Sequence, residues 1–301
     1  MTIKRFGIIG LTDIQNEFGG SIPIGINEYY RGGAYTSINN SAVPTDSFIS
    51  INKFYGASKY LPGTTGLLTV SKNFVLPPYC GTTVYYYCIA GGGGGGGGSS
   101  RITYNYGAGG GGGTGGNSYG SFSAAPGDAL SIIIGGAGTP GAARDGPYSI
   151  GSSGGTGGQS QIKKNGYLVV TTNGGLGGAV AQHGYNSSLV TPGGSIGTIT
   201  SGISIQVGDN GQYGQNGVWW AVGGQGGRGF FPRMFNGAGT FTRGALGTGG
   251  IGYYNGYSLA RNAVSGTGYG AGGSGGGAML NANSSTFNGS SGVQGCVLIW
   301  W

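Results

Sequence analysis

Thr82-Thr83-Val84-Tyr85-Tyr86-Tyr87-Cys88-Ile89-Ala90 runs without a break into eight consecutive glycines, Gly91 to Gly98. The first half, rich in β-branched and aromatic residues, reads as a strand. The second half carries no side chain at all. The same alternation recurs outward from this point: Phe74-Val75-Leu76-Pro77 before it, and Ala129 to Ile134, Tyr167 to Thr172, Ile196 to Val207, Val218 to Val222 and Val293 to Trp301 after it, read as strands between glycine-rich runs. Long periodic stretches free of glycine are missing, so almost no helix is expected. The expected fold class is all-β: an N-terminal segment over residues 1–60, then a glycine-rich, β-sandwich-like body over 61–301.

Composition narrows the classes. Of 301 residues, 77 are Gly and only 7% are charged, while 12% are aromatic. Ordering a residue costs about 1–2 kcal/mol and glycine loses the most freedom, which on its own favours disorder. The many Ile, Val, Tyr, Phe and Trp residues among the glycines argue against it. Collagen is excluded because glycine does not hold a strict third position with abundant proline. The net charge of +7 comes from scattered basic residues, with only Lys4-Arg5 and Lys163-Lys164 adjacent. Such scatter suits mild attraction to an anionic cell envelope, and no nucleic-acid partner is expected. Cys80, Cys88 and Cys296 form an odd set without CxxC spacing and read as buried thiols. No signal peptide and no apolar run of membrane-spanning length stand out, so assembly in a reducing cytosol without membrane insertion is expected.

Glycine permits polyproline-II-like helices of three residues per turn, which have no internal hydrogen bonds. Packed side by side, such helices pair each N–H and C=O with a neighbour. Gly91 to Gly98 would span about 25 Å at about 3.1 Å per residue. The runs at 107–116, 151–158, 223–229, 244–252 and 266–277 are candidate members of that lattice. The competing reading makes them irregular loops of a β-sandwich, and the interrupted runs suit both.

Residues 1–60 differ from the rest: both glutamates of the chain, Glu17 and Glu28, lie there, and long glycine runs do not. Asp13-Ile14-Gln15-Asn16-Glu17-Phe18 leads into Gly19-Gly20, followed by Ile26-Asn27-Glu28-Tyr29-Tyr30-Arg31 and Ile49-Ser50-Ile51-Asn52-Lys53-Phe54-Tyr55-Gly56. These read as short apolar or aromatic elements separated by turns. The stretch resembles the N-terminal segment of bacteriophage tail proteins. That resemblance implies docking to another tail protein, with Ile14, Glu17, Phe18, Glu28, Tyr29, Tyr30, Phe54 and Tyr55 as the docking candidates.

The remainder resembles the glycine-rich domain at the ends of phage tail fibres. The matching features are Phe74 to Pro77, Thr83 running into Gly98, Gly127-Asp128-Ala129-Leu130-Ser131-Ile132-Ile133-Ile134-Gly135, and Gly292 to Trp301, in that order. A lattice built on its glycine runs is similar to the polyglycine-II sandwich of phage tip adhesins. The resemblance implies a virion tail protein assembled in the host cytoplasm, a homotrimer by analogy with fibres, with a host cell-surface protein or glycan as its partner. A baseplate, tail-tip or collar component without direct receptor contact is the alternative.

Catalysis would need convergent acids, bases or nucleophiles. His183 is the sole histidine, and only Asp46, Asp128, Asp145 and Asp209 supply carboxylates after residue 30. A glycosidase pair formed from Asp145 and Asp209 is the formal possibility, but the neutral surroundings offer little to tune it, and no enzyme is expected. His183 has no neighbouring ligand-type residue, so no metal is expected. No Gly-Lys-Ser/Thr follows the glycine runs, and at this glycine content a GxGxxG spacing carries no weight. No cofactor is expected.

The stronger signal is aromatic side chains on glycine-rich loops, since Tyr with Gly, Ser and Asn is the vocabulary of binding loops. Tyr213, Phe230, Phe231, Tyr253, Tyr254 and Tyr257 are the candidate receptor contacts. Trp219, Trp220, Trp300 and Trp301 are expected to pack instead.

Overall fold

A computed structural model describes residues 3, 7–22, 25–36, 40, 43–45, 49–55, 57, 64–78, 80–101, 105–144, 151–181, 190–191, 199–201, 211, 214–215, 220–235, 238–247, 249, 263–279 and 285–301. The body is all-β. Strands Thr64–Leu68, Cys296–Trp300, Thr83–Ile89 and Asn117–Ser123 form one antiparallel sheet in that spatial order. Strands Ile199–Ser201, Tyr167–Thr172, Ser160–Lys164, Ala129–Ile133 and Lys72–Val75 form a second. Alternation decides the packing: Val84, Tyr86 and Cys88 of one sheet, with Val297 and Ile299, face Leu130, Ile132, Ile162 and Val170 of the other, all buried. Each such side chain contributes about 1.5–3 kcal/mol by leaving water. On the outer face of the first sheet, Tyr85 and Tyr87 stack on the buried Trp300, with centroids 5.7 and 5.9 Å apart.

The expected strands around residues 74, 83, 129 and 167 are present within a residue or two, the one expected from Val293 begins at Cys296, those expected over 196–207 and 218–222 are Ile199–Ser201 and Trp220–Ala221 among the described residues, and the three cysteines are buried thiols. Asn117–Ser123 and Ser160–Lys164 were not expected as strands. Both are mostly polar, and cross-strand pairing with apolar neighbours, not their own pattern, holds them extended.

The N-terminal region holds the one α-helix among the described residues, in keeping with the expectation of almost no helix. Leu11–Phe18 is an α-helix. Its start is closed by Asp13, whose carboxylate accepts the Gly10 N–H at 2.8 Å. Its end comes at Gly19, which adopts φ +87° and returns its N–H to the Gln15 carbonyl. Ile14 and Phe18 lie on one face and pack with Ile3, Ile9, Tyr29, Val43, Phe54 and Ala57 in a buried cluster drawn wholly from the first 57 residues. Phe18 and Phe54 meet edge to face with centroids 5.9 Å apart. The sequence pattern missed this helix because it is only 8 residues long and ends in glycines.

Between the strands the glycine runs form a lattice, not irregular loops. The N–H groups of Gly91, Gly94 and Gly97 donate to the carbonyls of Gly158, Gly155 and Ser152. Those of Gly92, Gly95 and Gly98 donate to Val293, Ser290 and Phe287, and those of Gly93 and Gly96 to Gly113 and Gly110. Donor–acceptor distances in this set are 2.9–3.1 Å. Every third residue thus addresses the same neighbour, which is the three-residue turn of polyglycine II. The carbonyls follow suit: Gly91 and Gly94 accept from Gly175 and Gly178, Gly92 and Gly95 from Gly138 and Gly141, and Gly93 and Gly96 from Gly273 and Gly276.

Six segments therefore surround the 91–98 helix. In ring order they are 109–116, 174–181, 151–158, 135–144, 287–293 and 270–277, and each also bonds its ring neighbours. Chain direction alternates around the ring, antiparallel then parallel to the centre. Segment 223–229 extends the lattice beside 109–116, through Gly224 and Gly227 donating to Gly109 and Gly112. All of 91–98 is buried. A Cβ on Gly91, Gly94 or Gly97 would overlap the carbonyls of Gly136, Thr139 and Ala142, so the close approach demands glycine. One backbone bond per residue is worth about 0.5–1.5 kcal/mol net against about 1–2 kcal/mol of ordering, so the lattice depends on the sandwich that anchors its ends.

Candidate functional site

The sandwich strands feed the lattice from one end. Ile89 leads into Gly91, 116 into Asn117, Ile133 into Gly135, Gly158 into Ser160, Thr172 into Gly174 and Gly295 into Cys296. The 182–222 stretch comes back to the sandwich, where Ile199–Ser201 pairs with Thr172 and Thr171; Gly98, Gly109 and Gly277 lie at the opposite end of the lattice. There the hairpin Ser99–Arg101 with Asn105–Gly107 adjoins a three-stranded sheet of Trp220–Ala221, Ala278–Met279 and Ser285–Thr286. Segment 244–249 runs toward the same end, from Gly244, which donates to Gly229, to Gly247, which donates to Gly226. The lattice is a hydrogen-bonded strut with the sandwich at one end and these short strands at the other.

Side chains lock the strut at defined points. The buried Ser274 hydroxyl donates to the Val264 carbonyl at 2.8 Å and accepts the Gly226 N–H at 3.0 Å. Thr114 Oγ1 donates to the Arg228 carbonyl at 2.9 Å. At the sandwich end, the buried Ser160 hydroxyl accepts the Gly135 N–H at 2.9 Å and donates to the Ile89 carbonyl at 2.8 Å.

Of the candidate receptor residues, Phe230 and Phe231 lie among the described residues. Phe230 is buried against Ile89, Cys296 and Tyr269, with 3% of its surface exposed, which removes it as a surface contact. Its neighbour Phe231 is 38% exposed, but it lies at the sandwich end beside Tyr269, away from the far-end connections. The aromatic pair read as a loop opens a hairpin, Phe230–Phe235 with Ala238–Arg243. Tyr213, Tyr253, Tyr254 and Tyr257 lie outside the described residues, as do Trp219, His183, Asp145 and Asp209. Trp300 is packed as expected, and Trp301 lies partly buried against the sandwich core.

The docking candidates are corrected likewise. Ile14, Glu17, Phe18, Tyr29 and Phe54 are buried, because the motif residues that recur in this segment build its core. Tyr30 and Tyr55 are exposed at 42% and 39%, and Glu28 is half-buried, accepting the Gly25 N–H at 2.8 Å. The sequence reading missed Ile8 and Ile22, the most exposed large apolar residues among those described in the segment.

Titratable groups among the described residues serve the fold. Burial pushes the Cys88 thiol up to about 12 and raises Cys80 and Cys296 as well. The Asp128 carboxyl is held below its usual range by the Ala125 N–H, the Asn165 amide and Lys164. No group of three or more His, Cys, Asp or Glu residues comes together among the described residues.

The lattice also shows which lattice segments sequence reading overlooked: 135–144, 174–181 and 287–293. Their glycines are interrupted but keep a spacing of three, as in Gly135, Gly138 and Gly141 or Gly289, Gly292 and Gly295. That spacing was the available signal. A strand sandwich carrying a polyglycine-II lattice defines a glycine-rich all-β class. Residues 69–301 match the family model of the glycine-rich domain, and the chain belongs to that family. No curated protein matches the chain.

Proposed function

We propose that the chain is a structural protein of a bacteriophage tail, a tail-fibre or tail-tip component that contributes to host receptor recognition and attachment. The observation that carries this reading is the lattice itself: a central polyglycine-II helix bonded to six neighbours, with the sandwich at one end and short strands at the other, which suits a projecting tail part. A hydrogen-bonded strut of this kind tolerates variation in surface connections that join its segments. Tyr253, Tyr254 and Tyr257 fall within the 250–262 connection that follows Gly249 and are the receptor contacts in this reading. The resemblance of residues 1–60 to tail-protein N-termini supports docking to another tail protein, through exposed Tyr30 and Tyr55 and not through the buried motif residues. A homotrimer within the virion tail, assembled in the host cytoplasm, and a host protein or glycan as receptor complete the proposal.

Binding of the purified chain to host cells tests it, with the Tyr253→Ala, Tyr254→Ala, Tyr257→Ala triple variant alongside a Phe231→Ala control. Saturable binding lost in the triple variant and kept in the control supports receptor recognition. Absence of binding by the wild type, with the protein still required for virion assembly, overturns it in favour of a purely structural baseplate, tail-tip or collar role.

A further inference from the structure

Three Asn–Gly steps lie among the described residues: Asn165–Gly166, Asn173–Gly174 and Asn288–Gly289. In such a step the backbone nitrogen of the glycine, on losing its proton, can attack the Asn side-chain carbonyl carbon, because no side chain on the glycine obstructs the approach. The structure sets the three apart. Gly289 is buried in the lattice and its N–H donates to the Gly141 carbonyl at 2.9 Å. Gly174 is buried with the Gly157 backbone against it. Asn165 and Gly166 are exposed at the tip of the two-residue turn between strands Ser160–Lys164 and Tyr167–Thr172. Their φ values of +50° and +85° are those of a type I′ hairpin turn.

We propose that Asn165–Gly166 is a spontaneous self-modification site, at which the folded protein deamidates selectively while the lattice protects Asn173 and Asn288. The Gly166 nitrogen bonds to Asn165 Cγ, the Cγ–Nδ2 bond breaks, and Nδ2 leaves as ammonia with the proton. Water then opens the resulting succinimide at either carbonyl, leaving aspartate or isoaspartate. The modification strikes a clasp. Asn165 Nδ2 donates to Asp128 Oδ1 at 2.7 Å, Asn165 Oδ1 accepts the Ala129 N–H at 2.8 Å, and the Asn165 N–H donates to the Ala129 carbonyl at 2.8 Å. Either product replaces the Nδ2 donor with a carboxylate oxygen facing the Asp128 carboxylate, and Lys164 Nζ at 3.8 Å neutralises only one of the two. Isoaspartate also adds a backbone methylene to a turn that has room for two residues. The clasp itself retards the reaction, because the carboxamide must first swing away from Asp128; at an exposed turn that opening costs little compared with opening the lattice.

Incubating the full chain at mildly alkaline pH, and following the amide-to-acid mass change and isoaspartate by peptide mapping, tests this. The expected result is conversion at Asn165 on the order of tenfold or more faster than at Asn173 or Asn288, since those two require lattice opening. The urea-denatured chain converts at all three. Asp128→Ala, which frees Nδ2, accelerates conversion at Asn165 in the folded protein and leaves the other two unchanged. Equal rates at the three sites in the folded chain, or an intact Asn165 over a period in which the denatured chain converts, overturns the proposal.

Discussion

The Gly94 N–H donates to the carbonyl of Gly155 at 2.9 Å, two glycines far apart in sequence and from antiparallel helices of one lattice. The bond is possible only because neither residue has a Cβ: one on Gly94 would overlap the Thr139 carbonyl, and one on Gly155 the Thr139 side chain. Gly94→Ala is expected to cost about 3 kcal/mol or more, because rigid backbone surrounds the site and nothing flexible can yield. Gly136→Ala is the control, since a Cβ there meets nothing within 4 Å. It should change stability by about 0 to +1 kcal/mol, through reduced freedom of the unfolded chain. Urea unfolding of the two variants beside the wild type measures the difference.

Ser274 ties three lattice segments through one hydroxyl. Ser274→Ala leaves the buried Gly226 N–H without its acceptor and the Val264 carbonyl without its donor. The expected cost is about 1–3 kcal/mol. Amide hydrogen exchange at Gly226 should speed up by more than exchange in the 91–98 helix, and equal acceleration at both would show that the hydroxyl is not a local lock.

Stability should fall on the acid side through Asp128. Its carboxyl titrates lower in the folded chain than in the unfolded one, because the charged form accepts from Ala125 and Asn165. The stabilisation is therefore fully present above the unfolded carboxyl range and is lost as pH drops through the depressed folded value. Asp128→Ala should flatten this acid limb. Melting temperature recorded against pH for both proteins, with parallel curves as the contrary result, decides it.

The thiols should be inert in the native protein. Cys88 and Cys296 are fully buried, and burial raises all three thiols, so the reactive thiolate is scarce at neutral pH. A colorimetric thiol reagent should find no fast-reacting group natively and three after denaturation. A single fast native thiol would mean that the sandwich opens locally, and peptide mapping would identify which strand.

Most of the strand cores, the buried thiols and the all-β class were legible in the sequence, because each follows from local chemistry: alternation, β-branching and the spacing of the cysteines. Other features depended on the tertiary structure. Polyglycine-II helices make no hydrogen bonds within themselves, so a glycine spacing of three, though present, fits a loop as well as a lattice member, and both readings stayed open for Gly91 to Gly98 until the ring of six neighbours was in place. For the same reason the interrupted segment 135–144 was overlooked although it bonds the central helix directly. Phe230 shows the limit at the candidate site: beside a glycine run it reads as a displayed aromatic, yet packing over Ile89 and Cys296 buries it. In the first 57 residues, Phe18, Tyr29 and Phe54, read as docking contacts, are core, since so short a segment must spend most of its large side chains on its own interior. Sequence alone determined the apolar, β-branched strands, whose alternation is local; the polar strands Asn117–Ser123 and Ser160–Lys164, burial and lattice membership were decided by contacts between residues distant in the chain.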